Sequence, residues 1–386
     1  LADSIIAEGD SLDAQVWFWR GKALTEKNQW TEAAESFYKV FEIGPAEDMV
    51  LNEYWFTFFN SAANNMNDGD LGAAQTMLER GMEVAPERPD FNLMLGDMEL
   101  NVNGDRAQAL DNYRSAADKA EQLVADLQEL VNSTDDQWEL DYYAQSLDQA
   151  EAIEIQAMFN TGSVLTMMAM SAEDSEREQY LQQAEEMYIK GLEVDATNVD
   201  MLDALAGIYL LEEDYSQAMD IFDQALESIE TGVAEGWLEE ADADDLTANI
   251  YVSKGYAYIE MEEYQNAIDD LNTARELVGD DYAVLATLAH AHFVMEDYQE
   301  SLANLDAVLA IQGLDAEEFA NAYYTKYACY NRLEQDEEAA EALETALEFQ
   351  PDNAEYWRYL ASTYSRLGRR NEAIEAMEKA EELSSE

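Results

Sequence analysis

Cysteine is almost missing from this chain. One residue in 386, Cys329, excludes an intramolecular disulfide and any cysteine metal cluster. Histidine is as scarce: His290 and His292 alone cannot build a histidine metal site. Four prolines are too few for an all-β chain broken by turns. No apolar run approaches the roughly 20 residues of a membrane-spanning helix. The largest shortage is of positive charge, with 20 lysines and arginines against 85 aspartates and glutamates, a formal net of −65. Such a surface repels phosphate backbones, so nucleic acid and anionic membrane faces are not expected partners. Two readings of the charge stay open: a solubilising or salt-adapted surface, or attraction to a basic partner or to cations.

Catalytic signatures are missing too. No P-loop, dinucleotide fingerprint, HExxH or GxSxG occurs, and no nucleophile, base and metal set converges. The expectation is a non-enzymatic chain with no cofactor. NMNDGD (65–70) and EADADD (240–245) offer oxygen ligands but lack the calcium-loop spacing. A sequon, Asn132-Ser133-Thr134, matters only in a glycosylating compartment. The chain begins at Leu1 rather than methionine, which fits a cleaved leader or a trimmed chain equally. The expected location is extracytoplasmic (periplasm, lipoprotein or cell surface), with the cytoplasm of a salt-adapted organism as the alternative.

What is present is apolar and repetitive. Hydrophobic residues make up 48% and aromatics 11%, enough for a sizeable core. In WRYLASTYSRLGRRNEAIEAMEKA (357–380), Trp357, Leu360, Ala361 and Tyr364 form one amphipathic stretch. Ala373, Met377 and Ala380 form a second beyond Gly368. Thirty-four residues upstream the frame recurs as Tyr323, Tyr327, Tyr330, Ala339, Leu343 and Ala346. At the N-terminus it appears as Trp17, Gly21, Leu24, Trp30, Ala33, Phe37, Val40 and Pro45. First-helix positions are small (Gly21, Ala62, Gly96, Gly162, Gly255) where paired helices cross closely, Tyr327 being the exception.

This pattern resembles the tetratricopeptide repeat (TPR). Nine units are in frame, with first helices starting near Ala14, Trp55, Pro89, Ile155, Val199, Ala248, Tyr282, Ala320 and Ala354. The resemblance implies an all-α, right-handed superhelical solenoid of antiparallel helix pairs. Residues 1–13 read as a partial repeat, 14–117 as repeats one to three and 118–154 as inserted helices. Residues 155–247 read as repeats four and five with long loops at 171–178 and 230–245, and 248–386 as repeats six to nine.

The resemblance also implies a concave groove lined by first helices that binds a protein or peptide partner. Its candidate lining is Phe18, Lys22, Phe56, Phe59, Leu93, Phe159, Tyr256, His290 and Tyr324. The inserted helices are an alternative occupant of that groove. Lys22 is the only basic residue at groove positions of the first four units, a departure from the carboxylate-clamp adaptors of the family. In EYWFTFFN (53–60), Phe58 is expected in the core, Trp55 against the preceding unit and Tyr54 at the helix entry. Phe56 and Phe59 are then left facing the groove.

The two ends differ in charge. Asp3, Glu8, Asp10 and Asp13 lie at one, and Arg358, Arg366, Arg369 and Arg370 near the other. Head-to-tail assembly into a filament or ring is the structural alternative to a partner-binding scaffold.

Overall fold

The computed structural model describes residues 13–45 and 49–384, and every statement below concerns those residues. They form α-helices joined by short connections, with no strand among them. No helix is long and apolar enough to cross a membrane. The chain divides into two compact units, Leu1–Ala196 and Thr197–Glu386.

The first unit holds four helical hairpins: α1 (Ala14–Thr25) with α2 (Trp30–Ile43), α3 (Trp55–Asn67) with α4 (Leu71–Val84), α5 (Asp90–Met98) with α6 (Arg106–Ser133), and α7 (Gln137–Ala169) with α8 (Asp174–Val194). The second holds five: α9 (Val199–Leu211) with α10 (Tyr215–Glu235), α11 (Glu240–Glu260) with α12 (Tyr264–Val278), α13 (Tyr282–Val294) with α14 (Tyr298–Val308), α15 (Ala316–Arg332) with α16 (Asp336–Phe349), and α17 (Ala354–Arg366) with α18 (Arg370–Leu383). Nine hairpins are thus described, one for each repeat in the sequence frame.

The turns show why the chain folds back at these points. Many helices start at an aspartate or asparagine whose side chain accepts an early backbone N–H, as Asp70 does from Ala73 at 3.0 Å and Asn353 from Tyr356 at 3.2 Å. Seven of the nine first helices end on a residue in the left-handed region: Asn28, Gly69, Glu213, Glu262, Glu296, Glu334 or Gly368. The next N–H then reaches back five residues, from Gln29 to the Leu24 carbonyl and from Arg369 to that of Tyr364. This Schellman-type closure satisfies carbonyls the helix end would leave open. NMNDGD is such a turn: α3 stops at Asn67, Gly69 has φ +78° and Asp70 caps α4.

Packing between paired helices follows the small-to-large pattern expected from the sequence. A methyl group on Gly96 would meet Tyr113 Cε1 at 2.5 Å, and one on Gly162 would meet Tyr188 Cε1 at 2.6 Å. In the first unit Phe18, Phe37, Phe58, Leu78 and Phe91 share one core. The second has two: one around Leu271, Leu288 and Leu305, the other around Leu343, Leu360 and Ala361.

Residues 118–154, expected as inserted helices, are helical, and the two stretches expected as loops are largely helix as well. Residues 118–133 continue α6 and 137–154 begin α7, leaving only Thr134–Asp136 between them. The 118–154 segment is therefore the outer part of one long antiparallel hairpin, α6 packing on α7 along its length. Residues 230–245 likewise extend α10 and α11, with a turn at Gly236 (φ +80°), and 174–178 open α8. Apolar spacing in these extensions is diluted by alanine, glutamate and aspartate, so the repeat frame is lost while helix propensity remains.

Candidate interaction surfaces

Helix α3 sorts its rings by neighbour. Phe58 is fully buried, as expected. Tyr54, in a 3-10 turn before α3, stacks on Phe37 with centroids 4.4 Å apart and meets Phe18 edge-on at 5.8 Å. Trp55 turns toward the following hairpin rather than the preceding one, edge-on to Phe91 at 6.1 Å. The Arg88 guanidinium caps its other side at 3.9 Å and is held there by Asp90 at 2.9 Å. Phe56 takes the place expected of Trp55, edge-on to Trp30 of the preceding hairpin at 6.1 Å. Phe59 is half-buried and edge-on to Trp55 at 6.0 Å.

Among the other groove candidates of the first unit, Phe18 is a core residue, only 9% exposed beneath Tyr54 and Phe37. Sealed by these rings, it cannot anchor a ligand. Leu93 and Phe159 are half-buried, and Phe159 leans on Tyr188 at 6.1 Å. Lys22 lies over three rings, nearest Trp19 at 5.0 Å. Trp19 itself is 60% exposed and escaped the sequence frame because it falls outside the core stripe. Helices α6 and α7, which carry the 118–154 segment, pack chiefly on each other, with α5 and α8 as their further neighbours.

The first helices of the second unit carry a tyrosine-rich face. Tyr324 of α15 stacks on Tyr356 of α17 with centroids 5.0 Å apart and planes at 15°. Tyr359 sits 5.8 Å from Tyr324 and 5.5 Å from Tyr327. Hydrogen bonding to Tyr324 and to Glu355 pushes the Tyr359 hydroxyl pKa up, and burial does the same for Tyr356. These hydroxyls therefore stay protonated and remain donors. Tyr282 on α13 is raised by burial and by Glu318, with Asn321 and Tyr256 close by. Tyr256 on α11 is 46% exposed, and His290 is half-buried. The sequence frame found Tyr256 and Tyr324 but not Tyr356 and Tyr359, which fall between its groove positions.

A second set of side chains went unread in the sequence although it repeats. Lys254 Nζ on α11 meets Asp223 Oδ1 of the preceding hairpin at 2.8 Å. At the equivalent positions, Lys326 meets Asp306 at 2.6 Å. Each lysine lies one residue before the small or tyrosine position of its first helix, so the signal was present as a periodic cation. Both bridges tie consecutive hairpins together.

Of the residues offered for end-to-end contact, Asp3, Glu8 and Asp10 lie outside the described residues. Asp13 caps α1, accepting from Gln15 at 2.8 Å. Arg366 is paired with Asp336 at 2.7 Å, Arg369 with Glu372, and Arg358 donates to Ser384 Oγ at 2.6 Å. Arg370 is exposed.

Among the described residues no group of three or more histidine, cysteine, aspartate or glutamate side chains could hold a metal ion. EADADD lies in the first turns of α11. His292 is half-buried, its Nδ1 3.8 Å from Asp297. Cys329 is buried, its thiol 3.3 Å from Ser301 Oγ and pushed up in pKa by burial. The clefts in the second unit are open and small, about 280 Å³ beside Tyr323 and Lys326 and about 320 Å³ beside Trp357 and Lys379.

Comparison with known proteins agrees with the fold. The tetratricopeptide repeat profile matches residues 248–277 and 354–386. A tetratricopeptide repeat protein from Parabacteroides merdae ATCC 43184 is 17% identical, with a TM-score of 0.52 over 80% of this chain and 98% of its own. MamA from Desulfovibrio magneticus RS-1 is 20% identical over 48% of this chain and 95% of its own, with a TM-score of 0.39. YrrB, described as a TPR protein with an unusual peptide-binding site, is 21% identical over 54% and 93%, with a TM-score of 0.35. No curated protein matches the chain significantly. With nine helical hairpins in the repeat frame and two of them matched directly by the family profile, the chain is a tetratricopeptide-repeat protein.

Proposed function

We propose that this chain is a non-enzymatic scaffold that receives a segment of a partner protein along the faces of its first helices. In the first unit the anchors are Phe56, Phe59, Leu93 and Phe159, whose half-buried rings and side chains leave apolar edges for a helix or extended strand. In the second unit they are Tyr256, Tyr324 and Tyr359, with the buried Tyr356 stacked behind Tyr324. The observation that carries this reading is the tyrosine stack across α15 and α17. It combines flat apolar area with tyrosine hydroxyls, that of Tyr359 donating to Glu355 Oε1 at 3.0 Å. Rigid tyrosines lose little entropy on binding and supply contact area and hydrogen bonds together.

Photo-crosslinking side chains placed at Phe59, Tyr256 and Tyr324, one at a time, test it against the same group at Ile374, an exposed second-helix position. Expected is capture of one partner from the first-helix positions and none from the control. Capture from Ile374 alone would contradict the proposal.

A further inference from the structure

The long hairpin of α6 and α7 ends in an aromatic tip that packing does not use. Trp138 is 73% exposed and Tyr142 56%, on the first turns of α7. The rings are four residues apart and lie nearly parallel, centroids 5.8 Å apart and planes at 8°. Leu130, at the end of α6, adds a 40% exposed aliphatic side chain. Two large rings held parallel in solvent form a prebuilt apolar platform, and exposed patches of this kind mark contact sites.

The charged residues at this tip are all acidic. Asp126, Glu129, Asp135, Asp136, Glu139 and Asp141 are all exposed. Their partners are neutral: Asp136 caps α7, Glu139 accepts from Thr134, Asp141 from Gln137 and Asp126 from Gln122. No lysine or arginine occurs between Lys119 and Arg177, so the whole outer arm lacks an internal counter-charge.

We propose that this tip is a docking surface for an arginine- or lysine-bearing segment of a partner protein. The ring faces attract a cation through their quadrupoles, the indole most strongly. A guanidinium can lie flat on Trp138 while its edge donates to a rim carboxylate, so arginine fits better than lysine. A second copy of this chain is a poor occupant, since the arms repel one another and Arg366 and Arg369 are already ion-paired. The competing occupant is a zwitterionic bilayer interface, which also takes tryptophan and tyrosine.

The test uses the full chain and a fluorescein-labelled decapeptide of alternating arginine and serine, with a lysine peptide of equal charge, at about 0.15 M salt, where the screening length is about 8 Å. Trp138→Ala/Tyr142→Ala leaves net charge unchanged and removes only exposed rings, so its unfolding midpoint should match the parent. The arginine peptide is expected to lose roughly tenfold in affinity for that variant, and the lysine peptide less. Glu129→Gln/Asp135→Asn/Asp141→Asn should weaken both peptides. Unchanged affinity in the ring variant would overturn the proposal, leaving diffuse charge attraction; so would no peptide binding by the parent. Peptide-free binding to phosphatidylcholine vesicles that the ring variant loses would reassign the tip to a membrane surface and overturn it equally. Groove variants at Phe59 or Tyr324 should leave this binding intact, which separates it from the function proposed above.

Discussion

Gly162 faces the Tyr188 ring with no room for a methyl group. Gly162→Ala must therefore move a ring that is itself buried, and overpacking of this kind costs about 1–3 kcal/mol. Urea unfolding of the full chain should show that loss, whereas Gly207→Ala, where a methyl group meets nothing within 4 Å, should not. Glu154, buried in the long hairpin, makes a prediction of a different kind. Burial first, then Glu121 and Glu151, raise its carboxyl pKa above the ordinary range. Between the ordinary and the raised value the folded state keeps a proton that the unfolded state releases, so stability falls as pH rises through that window. Glu154→Gln should be more stable than the parent near neutral pH, the gap closing as pH falls and vanishing below about 4. Denaturation at several pH values checks the sign. Single residues were unevenly legible in the sequence. Phe58 was readable because a core position is fixed by the frame. The exchange between Trp55 and Phe56 was not, because it depends on Arg88, in the connection after α4, capping the indole.

At the scale of elements, the left-handed residue closing the first helices was legible where it is glycine, as at Gly69 and Gly368. It was silent where it is glutamate. Glu213, Glu262, Glu296 and Glu334 all have φ between 56° and 63°. An L side chain there costs about 1–2 kcal/mol, partly offset in a glycine variant by the extra backbone entropy lost on folding. Glu334→Gly should thus raise stability by up to about 1 kcal/mol, read as a higher urea midpoint with an unchanged slope. Helix number and pairing were readable because small residues recur at the crossing points. Helix length was not, because α6, α7, α10 and α11 extend on alanine and acidic residues that carry helix propensity without a core stripe. The face exposed on the second unit was half legible. Tyr256 and Tyr324 sit at groove positions, whereas Tyr359 joins them only through ring contacts with Tyr324 and Tyr327 across two hairpins, and Tyr356 is buried.

For the whole molecule, a net charge of −65 sets both stability and choice of partner. Raising salt from about 0.01 M to 1 M shortens the screening length from about 30 Å to 3 Å, which should relieve self-repulsion and raise the unfolding midpoint of the isolated protein. Over the same range a basic partner should be lost, so the two readings of the charge separate in one titration. The central claim is that first helices, not second helices, bind a partner segment. A peptide selected from a random display library against the intact chain tests it most directly, its affinity measured for Phe56→Ala/Phe59→Ala, for Tyr324→Ala/Tyr359→Ala and for Ile374→Ala. The account predicts a loss of at least tenfold in one of the first two and none in the third; equal affinity in all three would contradict it.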